Sequence, residues 1–225
     1  MNAAWQSLRV KNADPVISFK NLRRMIGVLG MVLPPICYVG GLLVEGRGLG
    51  PSISSYYYSN VGDVFEGILV GVAIFLLAYR GYELVDDLIT TITGVAGLGI
   101  ALFPCYSAAY TKTGFFQLSP SLSNVFHTIC AGSFFLLLAI NSIFIFTLTD
   151  GKKPKTRNKE RRNAIYIACG LVILASLIVI AILHIAYGQE FLDTKTWIFV
   201  LETVLLEAFG VSWLVKGETI LKDRD

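Results

Sequence analysis

The sequence predicts an all-α polytopic membrane protein, a six-transmembrane-helix bundle with both termini in the cytoplasm. Three observations predict it. Of 225 residues, 54% are hydrophobic, and the mean hydropathy is +0.63. The apolar residues fall in six blocks, each near the ~20 residues a helix needs to cross hydrocarbon. Lysine and arginine are distributed asymmetrically about those blocks.

Residues 1–24 are polar and basic and read as a cytoplasmic segment, with a short interfacial helix around Trp5, Leu8 and Val10 that Pro15 interrupts. The first apolar run, about Met25–Val44, is followed by no small-residue cleavage pattern and reads as a retained span. Its Pro34–Pro35 pair removes backbone donors and predicts a kink. The further spans are about Val64–Tyr79, Leu88–Phe103, Leu122–Leu148, Ala164–Tyr187 and Trp197–Val215. Runs this continuous are helical, because only helices and closed barrels satisfy the backbone in lipid. Gly67 and Gly71 on the second span, and Gly94, Gly97 and Ala101 on the third, suit close helix approach. The transmembrane domain is thus 25–217 and the cytoplasmic tail 218–225.

With the termini inside, 16 of the 19 basic residues are cytoplasmic: five before the first span, Arg80, seven in the fourth loop, and Lys216, Lys222 and Arg224. The densest run, KKPKTRNKERR at Lys152–Arg162, is a topogenic loop near anionic headgroups. The net charge of +3 is explained by topology, so no nucleic-acid partner is expected. Cys37, Cys130 and Cys169 lie within spans, Cys105 at a span end, and there is no CxxC, so neither a redox site nor a disulfide framework is indicated.

Ionisable residues within apolar runs are rare and costly, and they mark functional candidates. Under this topology Asp63 and Glu66 open the second span, and His127 lies about one turn into the fourth. His184 lies about one turn from the outer end of the fifth, and Glu202 roughly 8 Å into the sixth. Together with Ser55 and Tyr57 of the loop GRGLGPSISSYYYSNVG (46–62), which also brings Ser52 and Ser54, they outline an outer site. That loop and residues 104–121 have the Gly, Pro, Ser and aromatic composition of a lid. Asp63 after Gly62 also suits a helix N-cap, with Glu66 at N3. Glu207 lies deeper, near mid-membrane, and could continue through Asn141 and Thr90 to Asp87 as an ion or proton pathway.

Two imidazoles and several carboxylates could hold zinc, but no HxxxH, HExxH or GxSxG is present. No cofactor is therefore expected. The stretch GPSISSYYYSNVGDVFEGILVGVAIFLLAYRGYE, with a histidine opening span four and a final span ending FGVSWLVKGE, resembles small bacterial six-helix membrane proteins of unknown function. More distantly it resembles the DRAM-like family. The resemblance implies a six-helix bundle in the bacterial plasma (inner) membrane and a lipid-related role, and it supplies no catalytic residues. A weaker similarity is to ceramidase-type lipid hydrolases, whose spaced histidine pair on a late helix is absent here.

The function expected is binding of a lipid or small ligand in an outer polar pocket. The alternatives are an ion or proton pathway, a membrane-embedded lipid hydrolase, or a structural subunit. Membrane lipids and a second copy of the chain are the partners expected.

Overall fold

The computed structural model describes residues 18–46, 48–81, 84–148, 156–219 and 221. The interfacial helix expected around Trp5–Val10, residues 152–155 of the basic run and the end of the tail lie outside them. The described residues are helical with no strand, 78% helix. The helices are α1 (Phe19–Glu45), α2 (Gly62–Ala78), α3 (Leu84–Leu102), α4 (Pro120–Ile140), α5 (Arg157–Leu192) and α6 (Trp197–Lys216). A five-residue 3₁₀ turn, Ser54–Tyr58, lies between α1 and α2, and a π-helical turn, Asn141–Ile145, extends α4. All but α2 are long and apolar enough to cross a membrane, which is the build of a multi-pass integral membrane protein. At 17 residues α2 is the shortest.

Local chemistry explains most of the ends. Ser119 caps α4 by accepting from the Leu122 amide, with Pro120 in the first turn. Thr156 caps α5 by accepting from the Lys159 amide at 3.1 Å. Gly46 closes α1 in the left-handed region, at φ 64°, and α1 runs through Pro34–Pro35. The cap expected at Asp63 is displaced by two residues: α2 begins at Gly62, Val61 precedes it without a side-chain cap bond, and exposed Asp63 occupies the first turn. Gly188 breaks α5 at φ 73°, ψ 165°, so the apolar helix ends at Tyr187 and residues 189–192 turn back toward the bundle.

The six helices form a closed ring. Each packs on its neighbour in sequence, and α6 closes on α1. Backbones approach closely where small residues meet: a Cβ on Gly27 of α1 would lie 2.8 Å from the Gly210 carbonyl of α6. A Cβ on Gly94 of α3 would lie 2.9 Å from the Ala73 carbonyl of α2. Gly67, expected to do the same, faces open space. The ring interior is filled by aromatics, with fully buried Trp213 edge-on to Tyr79 at 5.4 Å and to Phe146 at 5.2 Å.

Candidate functional site

One end of the ring is covered by the connections 48–61, 103–119 and 193–196, and the first two are fastened to helices by polar groups. Pro104 ends the α3 segment and leaves carbonyls that cannot be paired within that helix. The first turns of α4 take them: Ser123 Oγ donates to Pro104 O at 2.8 Å, and His127 Nδ1 lies 2.8 Å from Phe103 O. Asn124 Oδ1 accepts from the Tyr106 amide at 2.9 Å. Ser123, Asn124 and His127 thus present one helix face to the 103–106 segment.

The 48–61 connection is held by α6. The Phe199 amide, an unpaired donor of the first helical turn, bonds to Pro51 O at 3.1 Å. The Ile53 amide donates to Glu202 Oε2 at 2.5 Å. Tyr58 joins the two long connections, its hydroxyl 2.8 Å from both Cys105 O and Thr113 Oγ1. Burial pushes the Tyr58 phenol up to about 12, against the lowering effect of the Thr113 bond.

These fastenings bring Ser54 against His127, with Oγ 3.1 Å from Nε2. The Phe103 carbonyl can only accept, so Nδ1 carries the proton and Nε2 of the neutral ring accepts from the Ser54 hydroxyl. His127 itself is buried. His184 Nδ1 likewise bonds back to a backbone carbonyl, Ile180 O, at 2.9 Å.

A cavity of about 280 Å³ lies where α4, α5 and α6 meet the connections. His127, His184, Glu202, Ser54, Ser55 and Asn124 supply its polar wall. Leu177, Ile180, Phe135 and Leu205 supply its apolar wall. Thr128 of α4 and Ala181 of α5, both exposed, also line it, so the cavity reaches the outer surface of the α4–α5 seam. Gly132 widens it, since a Cβ there would meet nothing within 4 Å. Ser54 and Glu202 also border a smaller apolar cavity of about 50 Å³ directed at Phe134 and Phe209 in the ring interior.

The sequence-selected residues therefore divide. His127, His184, Glu202 and Ser55 line one cavity, whereas Asp63, Glu66 and Tyr57 do not border it. Those three form a neighbouring group. Burial raises the Tyr57 phenol above its ordinary value, and the Glu66 carboxylate raises it further. The deeper candidates lie apart from the cavity. Asp87 accepts from the Gly81 amide at 2.5 Å and faces Arg80 at 3.7 Å. Asn141 is fully buried at the π turn, with neither amide atom bonded to protein. Glu207 is half-buried on the α6 face that exposes Val200 and Val204.

Ser54, Asn124, Gln189 and Asp193 also line the cavity, beyond the site residues that the sequence singles out. Asn124 was open to discovery, being three residues before His127 on one helix face. Gln189 and Asp193 arrive only because the chain breaks at Gly188. Among the described residues no His, Cys, Asp and Glu cluster has a metal-holding arrangement. Comparison with known proteins finds no matching family model, no matching curated protein and no matching solved structure.

Proposed function

We propose that this chain is an integral membrane protein that binds a lipid or small amphipathic ligand in the cavity between α4, α5 and α6. The observation that carries this reading is the cavity's two-sided lining. Imidazole, carboxylate and hydroxyl groups face an aliphatic and aromatic wall that reaches the bundle surface between α4 and α5. A ligand entering from the membrane through that seam would place its polar end at His127, His184 and Glu202 and its apolar end along Leu177, Ile180 and Phe135. The volume of about 280 Å³ suits a small ligand or one end of a lipid, not a whole phospholipid. In this reading the ring is a six-span bundle with cytoplasmic termini, α2 being its short span, and the cavity lies in the outer half. Asp63, Glu66 and Tyr57 would flank its rim.

The test is native mass spectrometry of protein extracted in mild detergent. Wild type should carry a bound small molecule or lipid, and Gly132→Leu, which puts a side chain into open cavity space, should lose it while eluting as wild type. Equal ligand in both proteins would refute the reading.

A second reading, an ion or proton pathway, draws on the unpartnered Asn141 amide in the bundle interior. It requires Glu207, on the outward face of α6, to act at a contact between copies of the chain. Proteoliposome flux that falls with Glu207→Gln would favour it, and no flux under a potential or pH gradient would remove it.

A further inference from the structure

We infer that Ser54 is a nucleophile activated by His127, and that the cavity is the site of carboxylic-ester hydrolysis on a substrate with an apolar acyl chain. The inference rests on the ligand-cavity reading above and adds a reaction to it.

Activation of a serine needs three things: a base within hydrogen-bond reach, a group that orients the base, and room for the carbonyl beside both. Ser54 Oγ lies 3.1 Å from His127 Nε2, within that reach. The Phe103 carbonyl, 2.8 Å from Nδ1, fixes the ring tautomer so that the lone pair faces Ser54. A backbone carbonyl here occupies the orienting position that a carboxylate often fills. Both side chains line the 280 Å³ cavity, so a bound carbonyl group has access to them.

The surroundings fit the same use. Asn124 stands one turn before His127 on the same helix face and lines the cavity. Its Oδ1 is committed to the Tyr106 amide, which leaves its NH₂ group to donate to an oxyanion. The Glu202 carboxylate accepts from the backbone amides of Ile53 and Ser54 and acts as a positioning residue for the turn that carries the serine. Ser54 also borders the smaller apolar cavity toward Phe134 and Phe209, which provides an apolar direction for an acyl chain. Neighbouring Ser52 and Ser55 are otherwise engaged. The Ser52 hydroxyl accepts the Ser55 amide at 3.0 Å, and the Ser55 hydroxyl donates to Ser52 O at 2.6 Å.

The reaction balances with water as the only co-reactant. Ser54 Oγ attacks the ester carbonyl carbon while its proton passes to His127 Nε2. The resulting oxyanion accepts a hydrogen bond from Asn124. Collapse breaks the bond to the alkoxide oxygen, which takes the Nε2 proton and leaves as the alcohol. Water, deprotonated by the neutral ring, then attacks the acyl-serine, and the acid departs as the proton returns to Ser54 Oγ.

The experiment treats purified full-length protein in detergent with a fluorophosphonate and locates the adduct by peptide mass spectrometry. The expected result is a phosphonyl group on Ser54, absent in Ser54→Ala and present in Ser55→Ala. His127→Gln should slow labelling about 10²–10⁴-fold, the scale of a lost general base. The same preparations should release p-nitrophenol from p-nitrophenyl butyrate with the same dependence on both residues. Mapping the adduct on wild type does not depend on any variant folding. An adduct on another residue, an equal rate in His127→Gln, or no adduct overturns the inference. If the unlabelled protein still carries a ligand that Gly132→Leu expels, only the chemistry falls. If Gly132→Leu changes nothing, the cavity reading falls as well.

Discussion

Replacing Glu202 should free the connection that carries Ser54. Its Oε2 accepts the Ile53 amide at 2.5 Å, and Ile53 is 3% exposed, so little water is available to that amide once the acceptor is gone. A typical hydrogen bond contributes roughly 0.5–1.5 kcal/mol net, and an orphaned buried donor costs about 1–3 kcal/mol. Glu202→Leu removes the acceptor, while Glu202→Gln keeps an amide oxygen in its place. At 1.4 kcal/mol per factor of ten, local opening of the Ile53 amide should become about 10–100-fold more frequent in the leucine variant. Glutamine should recover more than half of that in free energy. The assay is hydrogen–deuterium exchange of the peptide spanning Pro51–Tyr56, in detergent, with α3 peptides as internal reference. Wild-type exchange in Glu202→Leu, or equal acceleration in the two variants, would refute the tethering role.

Three other outcomes follow from the same geometry. Burial, and then the Glu202 and Asp193 carboxylates, push the Cys105 thiol from 9.0 up to about 12. Only the thiolate attacks, so at pH 9 about one Cys105 in a thousand is reactive against half of an ordinary thiol population. Iodoacetamide should therefore modify half-buried Cys105 on the order of hundredfold more slowly at that pH, with a rate still climbing above pH 10; a plateau near pH 9 would contradict the raised thiol. Trp213→Ala, which empties the space among Tyr79, Phe146 and Phe209, should destabilise the protein by somewhat less than the roughly 3–5 kcal/mol of a water-soluble core, because packing and not transfer from water holds a membrane bundle. Trp213→Phe should recover much of the loss in a detergent unfolding titration. Gly27→Leu should disrupt the α1–α6 crossing, where a Cβ already lies 2.8 Å from Gly210 O, whereas Gly67→Leu should be tolerated; thermal denaturation of the two variants checks this.

Long apolar runs made most of the helices legible, because continuity of hydrophobicity is itself the physical requirement for crossing lipid. Hence the fifth run ends at Tyr187, immediately before the Gly188 break. The ring closure of α6 on α1 is a tertiary fact with no local signal beyond glycines such as Gly27 and Gly210. At the site, depth along each helix could be counted from sequence, and that count led to His127, His184 and Glu202. Rotation about each helix axis could not be counted the same way. Asp63 and Glu66 do not border the cavity, and Glu66 lies beside Tyr57 instead. Nor can sequence choose among Ser52, Ser54 and Ser55. The choice depends on how the connection folds back onto Glu202, and only then does Ser54 alone meet His127.

We propose that the cavity between α4, α5 and α6 holds an amphipathic ligand that enters from the membrane. Photo-crosslinking with a diazirine-bearing fatty-acyl ester in nanodiscs, followed by peptide mapping, tests it most directly. Adducts should concentrate on the cavity-lining segments 124–135 and 177–193 and be lost in Gly132→Leu. Adducts spread evenly over the lipid-facing residues of all helices, unchanged by Gly132→Leu, would contradict it.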